Sequence, residues 1–188
     1  LTSFNRYFFS QTDRQGLLLD QRFNGGGQVA DYVIEVLKRP LMSYWKPRYG
    51  DVYKTPAGSI QGPKVMIVNE FAGSGGDAMP WLFRQAKLGT LVGKRTWGGL
   101  VGIGAIPPLM DGGNVTSPSF GFFSPAGEWD VENRGVAPDV EVDLDPKSVA
   151  AGRDPQRERA VAIALTELGK MTLPAPRVPK FPAYHHQN

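Results

Sequence analysis

Apolar residues along the chain fall into two kinds of run that follow one another. Short unbroken runs, Leu17-Leu18-Leu19 and Val65-Met66-Ile67-Val68, each end in a glycine-rich turn. Unbroken apolar runs of this length, bounded by turn residues, predict strands buried on both faces. After the first turn, Asn24-Gly25-Gly26-Gly27, the residues Val29, Val33, Val36 and Leu37 recur at helical spacing until Pro40. After the second turn, residues 69–76, a helix is predicted over residues 77–88. Pro80 is then expected in its first turn, where a missing N–H costs nothing, with Gly89 as its C-terminal cap. Residues 90–94 read as the next strand. Two strand–glycine turn–helix units in succession predict parallel βαβ crossovers.

The pattern changes in the second half. Residues 103–109, 115–123 and 128–131 read as extended segments, separated by turns at Asp111-Gly112-Gly113 and Pro125-Ala126-Gly127. Residues 1–10, with Phe4, Tyr7 and Phe8, suggest a short helix packed on the core. Asp154-Pro155 opens a last helix, with Val161, Ala164, Leu165 and Leu168 expected on its buried face. We read residues 1–173 as one domain and residues 174–188 as a proline-rich tail.

Composition narrows the chemistry. The 188 residues suffice for a single hydrophobic core, and 41% are hydrophobic. A net charge of +3 with scattered Lys and Arg does not suggest a nucleic-acid surface. The absence of cysteine removes disulfides, thiol catalysis and thiolate metal sites. Neither a membrane-spanning run nor a histidine set at metal-ligand spacing is present, so no membrane, metal or cofactor role is expected. The chain begins at Leu1 and reads as a piece of a longer polypeptide.

Candidate chemistry centres on Ser74 in Ala72-Gly73-Ser74-Gly75-Gly76-Asp77, at the expected junction of strand and helix. A helix N-terminus supplies unpaired N–H groups and partial positive charge, both of which stabilise an oxyanion. The simpler reading makes Ser74 an N-cap and Asp77 a first-turn acid. The Asn24–Gly27 turn adds backbone N–H groups of its own, as an oxyanion hole or as a plain anion nest. If both turns end parallel strands, they share one edge of the sheet.

Three motifs in order resemble a known family: Leu18-Leu19-Asp20-Gln21-Arg22 with Asn24-Gly25-Gly26-Gly27, Asn69-Glu70 with Gly73-Ser74 and Gly76-Asp77, and Glu132-Asn133-Arg134-Gly135-Val136-Ala137-Pro138-Asp139. Together they resemble the C-terminal catalytic domain of tricorn-type proteases, in the tail-specific (C-terminal-processing) serine peptidase group. The resemblance implies an α/β fold of stacked βαβ units related to ClpP and crotonase, with extra extended segments in the second half. It implies Ser74 as nucleophile, the backbone N–H groups of Gly27 and Gly75 as oxyanion hole, and Glu132 as the acid that orients the base through an intervening serine. It further implies peptide substrates, upstream PDZ-like and histidine-bearing domains of the same polypeptide, a homo-oligomer and a cytoplasmic setting.

Two departures from the family stand out. Family members often carry Asp where this chain has Gly75, a change expected to leave a backbone donor intact while loosening the turn. The family's catalytic histidine also lies upstream, and the two histidines here, His185 and His186, do not match its motif. A serine without a base is a poor nucleophile. Three other readings remain. The order Ser74, acid, His185 is that of α/β-hydrolases. A crotonase-type acyl-CoA enzyme would use the glycine N–H groups alone, and a peptide-binding scaffold would use no nucleophile.

Overall fold

A computed structural model describes residues 1–104 and 106–182. Its central sheet has four strands, all parallel: β1 (Leu17–Asp20), β4 (Lys64–Val68), β5 (Gly89–Gly93) and β8 (Val140–Glu141), in the order β1-β4-β5-β8. Helix α1 (Thr2–Phe9) precedes β1, and between the strands run α2 (Ala30–Lys38), the hairpin β2 (Ser43–Trp45) with β3 (Tyr53–Thr55), α3 (Gly75–Gln85), and a second hairpin of β6 (Val101–Ile103) with β7 (Pro118–Gly121). The helices α4 (Pro146–Ala150) and α5 (Pro155–Lys170) follow β8.

The continuous apolar strands have the reason expected of them, since both faces of the sheet are covered. Alternate side chains of a strand point to opposite faces. Met66, Val68 and Leu91 join α2 and α3 through Val33, Val36, Leu37, Met79 and Phe83. Val65, Ile67 and Val92 meet Ala160, Ile163 and Ala164 of α5. Arg22, just past β1, ties the second layer down with ion pairs to Asp20 (2.6 Å) and to Asp154 (2.7 Å), the N-cap of α5. Its guanidinium holds the Asp154 carboxyl below the usual carboxylate range.

Several local expectations change. Helix α3 begins at Gly75, so Pro80 lies in its second turn, where its missing N–H would have bonded Gly76 O. The buried Gln21 supplies the lost donor, Nε2 to Gly76 O at 3.2 Å. Gly89 is the first residue of β5 rather than a cap, and Lys87 takes the left-handed conformation (φ 52°) after the helix. On α5 the inward face is Gln156, Ala160, Ile163 and Ala164, while Val161 and Leu165 are exposed. Arg22 fixes the helix start and so its rotation. Of the extended segments, the described residues among 103–109 form strand only at Ile103, and Pro107 and Pro108 lack ladder donors. Residues 128–131 contribute one isolated bridge, Trp129 to Phe123. Described residues after α5 form neither helix nor strand.

Candidate active site

Parallel pairing of Asp20 with Ile67 and of Val68 with Gly93 brings the C-terminal ends of β1, β4 and β5 to one edge. Both glycine turns therefore emerge side by side, and they are laced together. Gly73 N–H donates to Asn24 O at 3.0 Å, and Phe23 N–H to Asn69 Oδ1 at 3.0 Å.

Ser74 stands between Val68 and α3 with φ 56° and ψ −118°. These are the dihedrals of the first central residue of a type II′ turn, a place normally held by glycine. For a serine the strain is of order 1–3 kcal/mol. Ser74 occupies the N-cap position of α3, with Asp77 in the first turn, but the Ser74 side chain makes no capping hydrogen bond. The hydroxyl instead faces the other turn. A methyl on Gly26 would lie 2.8 Å from Ser74 Cβ and 3.0 Å from Oγ. Gly27 packs on Gly75 so closely that a Cβ at 75 would meet Gly27 N at 2.9 Å and collide with Gly27 O. With Gly75 the two turns approach to a distance that a side chain at this position would push apart. Among the described residues, neither the Gly27 nor the Gly75 N–H donates a hydrogen bond.

A cleft of about 450 Å³ opens beside the hydroxyl. Gly25, Gly27, Ser74 and Gly75 form one wall, and Ala78, Leu100, Ile103, Phe120 and Phe122 make the rest largely apolar. Trp81 of α3 steadies that side: its ring meets Phe122 edge-on at 4.9 Å and its Nε1–H donates to Asp130 at 2.8 Å. This bond holds the Asp130 carboxyl below its ordinary range. The sequence pattern did not single out these lining residues. The alternation in Val101-Gly102-Ile103 and in Phe120-Gly121-Phe122 was the available signal.

Glu132 is exposed, on a loop whose backbone is held by Asn133 N–H to Gly98 O (2.7 Å) and Thr96 N–H to Val136 O (3.1 Å). The same residues 96–98 reach the serine turn through Trp97 N–H to Ala72 O at 2.8 Å. So the Glu132 loop borders the Ser74 edge with one loop between, and no hydrogen bond joins the two residues. The loop is locally strained as well, with buried Val131 at φ 71°. Arg134 and Asp139 do not pair with each other. Arg84 takes Asp139 at 2.8 Å, and Arg134 lies 3.7 Å from Asp130. None of Tyr44, Trp45, Trp81 or Trp97 lines the Ser74 cleft. His185 and His186 lie outside the described residues. No metal-binding cluster occurs among the described residues, and no helix there is long and apolar enough to cross a membrane.

Residues 2–142 match Peptidase family S41. The chain belongs to that family. It is 40% identical to the tricorn protease of Thermoplasma volcanium over 177 residues, 94% of this chain and 17% of that protein. With a tricorn protease homolog of Streptomyces coelicolor it shares 41% identity, covering 90% of this chain and 16% of the relative. A chloroplastic C-terminal processing peptidase of Tetradesmus obliquus is 31% identical across 72% of this chain and 31% of its own length. A crystal structure of the tricorn protease superposes with a TM-score of 0.85 at 41% identity, covering 89% of this chain and 16% of that one. The chain thus spans about a sixth of the tricorn relatives' length. Its mixed α/β architecture on a parallel sheet is theirs, in agreement with the resemblance carried by the three motifs.

Proposed function

We propose that this chain is the nucleophile-bearing domain of a serine peptidase that cleaves oligopeptides. The observation that carries the reading is the free Ser74 hydroxyl on a strained elbow, beside two unpaired N–H groups and an apolar cleft. In this reading Ser74 Oγ attacks the scissile carbonyl carbon and passes its proton to a base. The N–H groups of Gly27 and Gly75 hold the resulting oxyanion, an arrangement whose single donors are typically worth roughly 10²–10³ in rate. Collapse breaks the C–N bond, the base protonates the leaving amine, and water then hydrolyses the acyl-serine. The apolar lining favours an apolar side chain next to the cleaved bond.

The base is a histidine from a segment outside these 188 residues, and Glu132 is the acid that orients it through an intervening serine. The Glu132 loop is tied to the serine turn through residues 96–98, with no hydrogen bond between Glu132 and Ser74. Peptide substrates, upstream domains, a homo-oligomer and a cytoplasmic setting belong to the same proposal and rest on the likeness to tricorn-type proteases. So does the division into a domain over residues 1–173 and a tail over 174–188.

The test compares the full-length polypeptide, its Ser74→Ala variant and the isolated chain on the same oligopeptides. Full-length enzyme should cleave, Ser74→Ala should lose several orders of magnitude, and the isolated chain should be nearly inactive. Undiminished cleavage by Ser74→Ala would overturn the reading. Strong cleavage by the isolated chain, lost in His185→Ala/His186→Ala, would place the base in the tail instead.

A further inference from the structure

Asp77 is fully buried, and no Lys or Arg is paired with it among the described residues. Its Oδ1 accepts two hydrogen bonds, from Thr96 Oγ1 at 2.5 Å and from Gly98 N–H at 2.8 Å, while Oδ2 has no partner. Burying a carboxylate without a cation is unfavourable unless its bonds are strong or its place is favoured by a dipole. The first turn of α3 supplies such a dipole. An asparagine could offer Thr96 and Gly98 only a neutral amide oxygen, without the charge-assisted strength of the carboxylate's bonds.

The connections beyond Asp77 show what it joins. Asp77 N–H donates to Ser74 O at 2.9 Å, which fastens it to the serine elbow. Thr96 Oγ1, having donated to Asp77, accepts from Val136 N–H at 2.9 Å. Gly98 O accepts from Asn133 N–H, the residue after Glu132. Asn133 and Val136 both follow Glu132 on the same loop. One carboxylate oxygen thus sits at the meeting point of the helix that carries Ser74 and the loop that carries Glu132.

We propose that Asp77 is a positioning residue: through Thr96 and Gly98 it sets the separation between Ser74 and the Glu132 loop. The inference rests on the peptidase reading of Ser74, and it predicts an effect on turnover rather than on substrate binding. A misplacement of about 1 Å at a reacting centre typically costs on the order of 100-fold.

The experiment uses the full-length enzyme and steady-state kinetics beside thermal melting. Asp77→Asn should fold and lower kcat by roughly 10- to 100-fold with KM nearly unchanged. Thr96→Val should do the same, and Thr96→Ser, which keeps the hydroxyl, should recover most of the rate. The Asp77→Asn/Thr96→Val double variant should be no worse than either single one, because both lie on one connection. If Asp77→Asn does not fold, the Thr96→Val and Thr96→Ser pair decides alone. A merely structural role would lower Tm while leaving kcat of the folded enzyme intact. That result, with Ser74→Ala inactive, overturns the positioning role and spares the peptidase reading. Full activity in Ser74→Ala overturns both.

Discussion

Gly26→Ala tests the meeting of the two turns most directly. The new methyl would lie 2.8 Å from Ser74 Cβ, 3.0 Å from its Oγ and 3.2 Å from Gly75 N. It would also force an alanine to φ 116°. A side chain in sparsely populated backbone space costs about 1–3 kcal/mol. Pushing Ser74 off its rotamer adds about 0.5–1.5 kcal/mol. If the turn holds, the total of roughly 2–4 kcal/mol appears as lost stability. If it yields, Gly27 moves away from Ser74 by a few tenths of an ångström or more, which would spoil the oxyanion-hole geometry proposed for Gly27 and Gly75. The expected result for the full-length enzyme is a fall of roughly 100-fold in kcat/KM, with slowed labelling of Ser74 by a serine-directed phosphonate. Gly25→Ala, whose Cβ meets nothing within 4 Å and whose φ is not positive, should leave Tm unchanged and serves as the control for an added methyl in the same turn. Should Gly26→Ala retain kcat/KM within twofold and melt normally, the first glycine turn would have no place at the nucleophile.

Two further outcomes follow from contacts outside the centre. Gln21→Met removes the donor that Pro80 cannot supply to Gly76 O, so it should lower stability by about 1–3 kcal/mol in urea titration. Adding Pro80→Ala restores a backbone N–H and should recover part of that loss, and a purely additive double mutant would refute the compensation. Asp154 has its folded pKa depressed by Arg22, so its contribution is present above the unfolded carboxylate pKa and is lost as pH falls through the depressed folded value. Asp154→Asn should therefore be less stable than wild type at pH 7, with the gap closing under acid conditions below about pH 4. A gap that stays constant with pH would show that the ion pair contributes nothing.

Much of the chain's architecture is local, and local features are legible in a sequence. Apolar runs such as Val65–Val68, cut off by glycines and followed by helical spacing, specify strands, turns and helices within a few residues of one another. Two such units suffice to imply a parallel sheet with both glycine turns at one edge, which is why Ser74 and Gly27 could be placed together in advance. Departures from the local pattern share one cause. Helix α3 starts before the residues its apolar spacing suggests because Gln21, distant in sequence, lets Pro80 sit inside the helix. The buried face of α5 departs from its apolar spacing because Arg22 and Gln156 fix its rotation. Likewise, the cleft wall from Leu100, Phe120 and Phe122 and the connection from Asp77 through Thr96 to Val136 join segments tens of residues apart. The succession of strands, glycine turns and helices and their parallel order depend on neighbouring residues, and so they are written in the chain. The strained conformation of Ser74, the close approach of Gly27 to Gly75 and the place of the Glu132 loop arise only on folding. These depend on which remote backbone and side-chain groups arrive at the same point, and no periodicity in one segment records that.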